Sequence, residues 1–140
     1  MLNSGCCFGF DYGLKKIGVA VGQFITRSAS PLAVVSAKQG IPDWDKLQKL
    51  IKEWQPKCLV VGLPLAIDGQ ELSITAHVKS FVTALERFQL PIYMTDERMT
   101  TKEARQHLFD HGGYKALEYG KIDCVAAALI LEQWLREQKI

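Results

Sequence analysis

At 140 residues and 48% hydrophobic, the chain has enough apolar surface to build one real core, and we expect a single domain over 1–140. A net charge of +2 is too small to mark a nucleic-acid binder by itself, so where the charge lies matters more than its sum. No apolar run reaches the roughly 18 to 20 residues of a membrane span, and Met1–Gly5 has no basic segment of the kind that opens a signal peptide, so a cytoplasmic location is expected.

The first predicted strand is Cys6 to Phe10, followed by a turn at Asp11-Tyr12-Gly13. Ile17 to Gly22 comes too soon to be anything but its hairpin partner. The polar stretch from Gln23 to Ser30 reads as a connection, and Pro31 to Val35 as a third strand. The period then changes. Ile41, Trp44, Leu47, Leu50, Ile51 and Trp54 recur at helical spacing, with Pro42 and Asp43 near the start and Gln55-Pro56 as the stop.

Cys58 to Val61 is an unbroken apolar run, as expected of a strand covered on both faces, and leads into Gly62-Leu63-Pro64 and Asp68-Gly69. Ile74, Val78, Phe81, Val82, Leu85 and Phe88 mark a second helix, and Pro91 to Met94 a fifth strand. Thr100-Thr101-Lys102-Glu103 has the capping-box form and predicts a third helix that fades near His111-Gly112-Gly113. A mobile Gly-rich loop is expected up to Lys121, where a last helix begins and runs to about Gln138.

This pattern, β-β-β-α-β-α-β-α-α, predicts an α/β fold with a five-stranded mixed sheet flanked by helices. Its strand order is 3-2-1-4-5, with strand 2 antiparallel, because parallel crossovers are right-handed. The chain then leaves strand 1 in two directions. Its carboxyl end is the switch point where open α/β sheets place ligands.

Asp11 falls at that point. Glu97 follows the fifth strand, parallel to the first, and Asp123 lies in the first turn of the last helix. Each has an ordinary alternative: an Asx-type turn for Asp11, a surface partnership with Arg98 or Lys102 for Glu97, and a dipole-stabilising helix acid for Asp123. Together they form a set of carboxylates that one sheet edge would collect, and crowded carboxylates repel unless they bind cations. Mg²⁺ or Mn²⁺ is therefore the expected cofactor, as two ions suited to phosphodiester hydrolysis.

Lys15, Lys16, Arg98, Lys102, Arg105, Lys115 and Lys121 flank these acids and are the candidate phosphate-binding residues, although a solvated helix face would also account for several. The segment from Asp11 to Gly18 is not a P-loop, lacking the G-x-x-x-x-G-K-S/T form. His77, His107 and His111 show no ligand spacing and read as surface or loop residues. Cys6, Cys7, Cys58 and Cys124 include no C-x-x-C pair and read as reduced, small apolar fillers.

Four segments together resemble one bacterial family: Phe10-Asp11-Tyr12-Gly13-Leu14-Lys15-Lys16-Ile17-Gly18-Val19-Ala20, Val61 to Gly69, Asp96-Glu97-Arg98-Met99-Thr100-Thr101, and Lys121 to Ala127. This is the YqgF family, also called RuvX, Holliday-junction-resolvase-like proteins or pre-16S rRNA nucleases. The resemblance covers nearly the whole chain, in order. It implies an RNase H-like fold and a cytoplasmic nuclease maturing the 5′ end of 16S rRNA, with catalytic acids on Asp11, Glu97 and Asp123.

Ala66 and Lys16 depart from the family pattern, where Asn and Arg are common. Two rival readings remain at this point. One is a resolvase of branched DNA, which a stable two-fold dimer would favour. The other is an RNA-binding ribosome-assembly factor without catalysis.

Overall fold

The computed structural model describes residues 5–63, 73–96 and 121–138. They form a six-stranded sheet of β1 (Cys6–Asp11), β2 (Lys16–Gln23), β3 (Ser28–Lys38), β4 (Ile41–Pro42), β5 (Leu59–Leu63) and β6 (Ile92–Asp96). Three helices accompany it: α1 (Trp44–Trp54), α2 (Ser73–Leu85) and α3 (Lys121–Glu137). A 3₁₀ turn at Glu86–Phe88 follows α2. The expected helix after Thr100 and the Gly-rich loop before Lys121 lie outside the described residues.

The strand order is β4-β3-β2-β1-β5-β6, which contains the expected order and adds one short edge strand. β2 is antiparallel to β1 and β3, while β1, β5 and β6 run parallel. The added strand corrects the expectation that Ile41 opens a helix. Gln39 and Gly40 have φ of 52° and 85°, the positive pair of a type I′ turn, so the chain folds back and Ile41 pairs with Lys38. Ile41 is consequently exposed, and α1 begins after Asp43, whose carboxylate accepts from the Lys46 amide at 3.3 Å.

β3 is also longer than the apolar run suggested. Ser28, Ala29 and Ser30 pair with Gln23, Gly22 and Val21, because the connection needs only Phe24 to Arg27. Leu32 is an extra residue between Pro31 and Ala33 in that ladder. Proline is tolerated there because the bulge lies on a stretch of β3 that β4 does not reach.

Strand alternation divides the core in two. Phe8, Phe10, Ile17, Val19, Leu59 and Val61 face α1 and α2, where Leu47, Val78, Phe81 and Leu85 close over them. Cys7, Ala20, Cys58 and Val60 face α3 and meet Ala127, Ile130, Leu131 and Leu135. Each fully buried Val, Leu, Ile or Phe among these contributes roughly 1.5–3 kcal/mol. All four cysteines are free thiols. Cys6 and Cys7 lie on opposite faces of β1, and the hydrogen bond shared with Cys58, then burial, pushes the Cys7 thiol up.

The two sides differ in thickness. Gly9, Gly18, Ala20 and Gly22 present almost no side chain toward α3, which answers with Ala127 and Ala128. A Cβ on Gly9 would lie 2.7 Å from Leu131 Cβ and 3.0 Å from the Ala127 carbonyl. One on Gly22 would lie 2.8 Å from Leu135. Small residues on both partners thus let α3 lie close against the sheet.

Candidate active site

Asp11 ends β1 on the same face as Cys7 and Gly9, the face covered by α3, and is 8% exposed. The contacts of α3 fix its direction over the strand. Leu135 and Leu131 lie above Gly22, the partner of Cys7, and Leu131 and Ala127 lie above Gly9. The helix therefore runs opposite to β1. Four residues of helix advance about 6 Å and two residues of strand about 6.6 Å. One turn back from Ala127 thus brings the backbone of Asp123 to the level of Asp11. Cys124 Sγ ties this turn down by donating to the Ala33 carbonyl at 3.1 Å.

The parallel strands supply the rest of the edge. Phe10 pairs with Val61, and Gly62 and Leu63 pair with Thr95 and Asp96. β6 therefore ends at the same carboxyl edge, two strand spacings or roughly 10 Å from β1. Glu97 is the next residue, just outside the described ones. The backbone thus brings Asp11 and the first turn of α3 to one level, with the end of β6 on the same edge.

The β1–β2 turn that leaves Asp11 is held unusually firmly. A Cβ on Gly13 would lie 2.5 Å from the Lys16 carbonyl, so the turn admits only glycine there. Gly40 N–H donates to the Leu14 carbonyl at 2.9 Å and Ala37 N–H to the Lys15 carbonyl at 2.8 Å. The Tyr12 hydroxyl donates to the Gly40 carbonyl at 2.6 Å, and burial raises its pKa above the usual phenol value. These bonds staple the turn bearing Lys15 and Lys16 onto the one bearing Lys38, beside Asp11.

Lys38 was not among the sequence candidates. Its signal was the Gln39-Gly40 pair after it, which marks a tight turn, but only the ladder shows which edge that turn joins. Of the other candidate basic residues, Lys121 is the first residue of α3. Arg98, Lys102, Arg105 and Lys115 lie outside the described residues, as does Ala66. Lys16, the other departure from the family pattern, opens β2 opposite Ser36.

The donor chemistry suits a hard divalent cation. A nearly buried carboxylate at a sheet edge, opposite the positive end of a helix, offers oxygen, while the Cys124 thiol of that helix turn is engaged by the Ala33 carbonyl. Among the described residues no three His, Cys, Asp or Glu side chains cluster, and Glu97 lies outside them.

The architecture matches that of RuvC from T. thermophilus in complex with a Holliday junction substrate. The match has a TM-score of 0.55 and 17% identity, covering 94% of this chain and 93% of that one. The fold is thus the RNase H-like fold of the junction resolvases. The particular family follows from the sequence: residues 5–137 match the family model "RuvX: Holliday junction resolvase", and the chain belongs to that family. A Legionella pneumophila (strain Paris) protein described as "Putative pre-16S rRNA nuclease" is 50% identical over 136 residues, covering 96% of this chain and 98% of its own. An Aeromonas salmonicida (strain A449) protein of the same description is 51% identical over 138 residues, covering 98% and 99%. By family, the chain is a nuclease.

Proposed function

We propose that the chain is a divalent-metal-dependent endonuclease that processes the 5′ end of pre-16S rRNA in the cytoplasm. The observation that carries the chemistry is the shared level of Asp11 and the first turn of α3, beside a stapled turn bearing lysines. The RNA substrate is carried by the description of relatives that are half identical along the whole chain.

In this reading Asp11, Glu97 and Asp123 hold the metal, as two Mg²⁺ or Mn²⁺ ions. When bound, divalent ions of this kind activate water and stabilise the leaving oxygen of a phosphodiester. The chain's own part is to place and hold. Lys15 and Lys16, with Lys38 beside them, take phosphates of the substrate strand, and their fixed turn prevents the strand from shifting during the cut. The amino end of α3 offsets part of the cost of gathering negative charge. Arg98, Lys102, Arg105, Lys115 and Lys121 extend the phosphate-binding surface.

The test is cleavage of a pre-rRNA 5′-leader fragment in Mg²⁺ or Mn²⁺. Asp11→Asn is expected to lower kcat by at least about 10³-fold while leaving RNA affinity within a few-fold, because it removes a charge that acts on the transition state. Full activity in the variant would refute the assignment. The family model's description and the junction-bound structural neighbour favour a second reading, resolution of branched DNA. That reading requires two symmetric cuts, so a strict monomer in sedimentation would count against it.

A further inference from the structure

On the opposite face of the sheet, a groove of about 220 Å³ opens at Tyr12 and Gly40, next to Asp11 in the chain, and is lined by Trp44, His77, Phe81 and Arg87. It descends along α2. That helix runs opposite to β5, so His77 lies toward the catalytic edge and Arg87 at the far end, roughly 15 Å on at 1.5 Å per residue. We infer that this groove binds an unstacked nucleotide of single-stranded RNA, a short way along the strand from the phosphate cut at the edge. The inference rests on the nuclease reading and extends it to substrate selection.

Three features of the groove select this occupant. Its volume is below the roughly 300–1,000 Å³ of pockets for drug-sized molecules and suits one ring system. One wall is an aromatic–guanidinium pair: the Arg87 guanidinium sits 3.8 Å from the Trp44 centroid and offers its outer plane to a base, while the buried Phe81 backs Trp44 with rings 22° apart in plane and centroids 6.3 Å apart. Bases of unpaired RNA stack on aromatic rings and on guanidinium planes of this kind. The third feature is charge. Arg87 has no acidic partner among the described residues; its Nε donates to the Ala84 carbonyl at 3.2 Å, and its Nη donors remain for a phosphate. The mouth of the groove adjoins the turn that leaves Asp11. The Tyr12 hydroxyl bonds Gly40 at its mouth, and a Cβ on Gly40 would lie 2.5 Å from that hydroxyl and 3.7 Å from the His77 ring. A strand held at Lys15 therefore has a short path over this rim.

The experiment uses ¹⁵N-labelled full-length Asp11→Asn chain titrated with a short single-stranded RNA, with Arg87→Ala and His77→Ala made in the active chain. The groove predicts shifts of the Trp44 indole and the His77 amide together with those of Lys15. It also predicts a KM for leader cleavage raised about tenfold in each variant, with kcat and thermal stability nearly unchanged. Shifts confined to the Lys15 turn, with an unmoved Trp44 and unchanged KM, would overturn the groove and leave the nuclease reading standing. No RNA shift anywhere, with no cleavage by the unaltered chain, would remove both.

Discussion

Gly9 shows how one missing side chain can serve the site two residues away. With a Cβ 2.7 Å from Leu131 and 3.0 Å from the Ala127 carbonyl, α3 would have to lift off β1. Gly9→Ala is therefore expected to lower the unfolding free energy by about 1–3 kcal/mol in urea, and to reduce cleavage by more than that loss explains, because Asp123 rides on the displaced helix. Tyr12 is the corresponding case on the other face. Tyr12→Phe should cost about 1–2 kcal/mol by orphaning the Gly40 carbonyl. Since burial raises the folded pKa of this phenol, its contribution is full below the unfolded value of about 10 and is lost as pH rises through the folded one. The alkaline fall in stability should therefore be shallower in Tyr12→Phe, as urea midpoints between about pH 8 and 11 would reveal.

Elements with a strong period were the ones that sequence reading located. α1, α2 and α3 have apolar positions three and four apart, and β1, β2 and β5 are apolar runs between turns. What it misjudged were places where the backbone outweighs hydrophobicity. Ile41 fits the stripe of α1, yet the positive φ of Gln39 and Gly40 sends it back along β3 and leaves it exposed. Ser28 to Ser30 look like loop, yet a short connection after Gln23 commits them to the ladder. Asp43 is what starts α1 afterwards. Asp43→Ala should remove about 1 kcal/mol of stability, readable as a lower thermal midpoint, with kcat unchanged because α1 supplies no acid to the catalytic edge.

For the whole molecule, the strand order was legible because crossover handedness and the short β1–β2 connection leave few alternatives. From that order came the single address of Asp11 and the strand end before Glu97. The depth of α3 was less legible. It depends on Gly9, Gly18, Ala20 and Gly22 alternating with large residues, a pattern that reads as an ordinary strand until the helix is laid on it. The aromatic groove was missed for a different reason. Trp44 and Phe81 carry the helical stripe of a core, and His77 reads as a surface residue; only packing shows that they share a wall. The proposed chemistry depends on binding of divalent cations by the acids of the carboxyl edge, which calorimetric titration with Mn²⁺ measures. Saturable binding to the unaltered chain is expected, lost in Asp11→Asn and weakened in Asp123→Asn. Equal binding by all three proteins, or none by the unaltered chain, would contradict it.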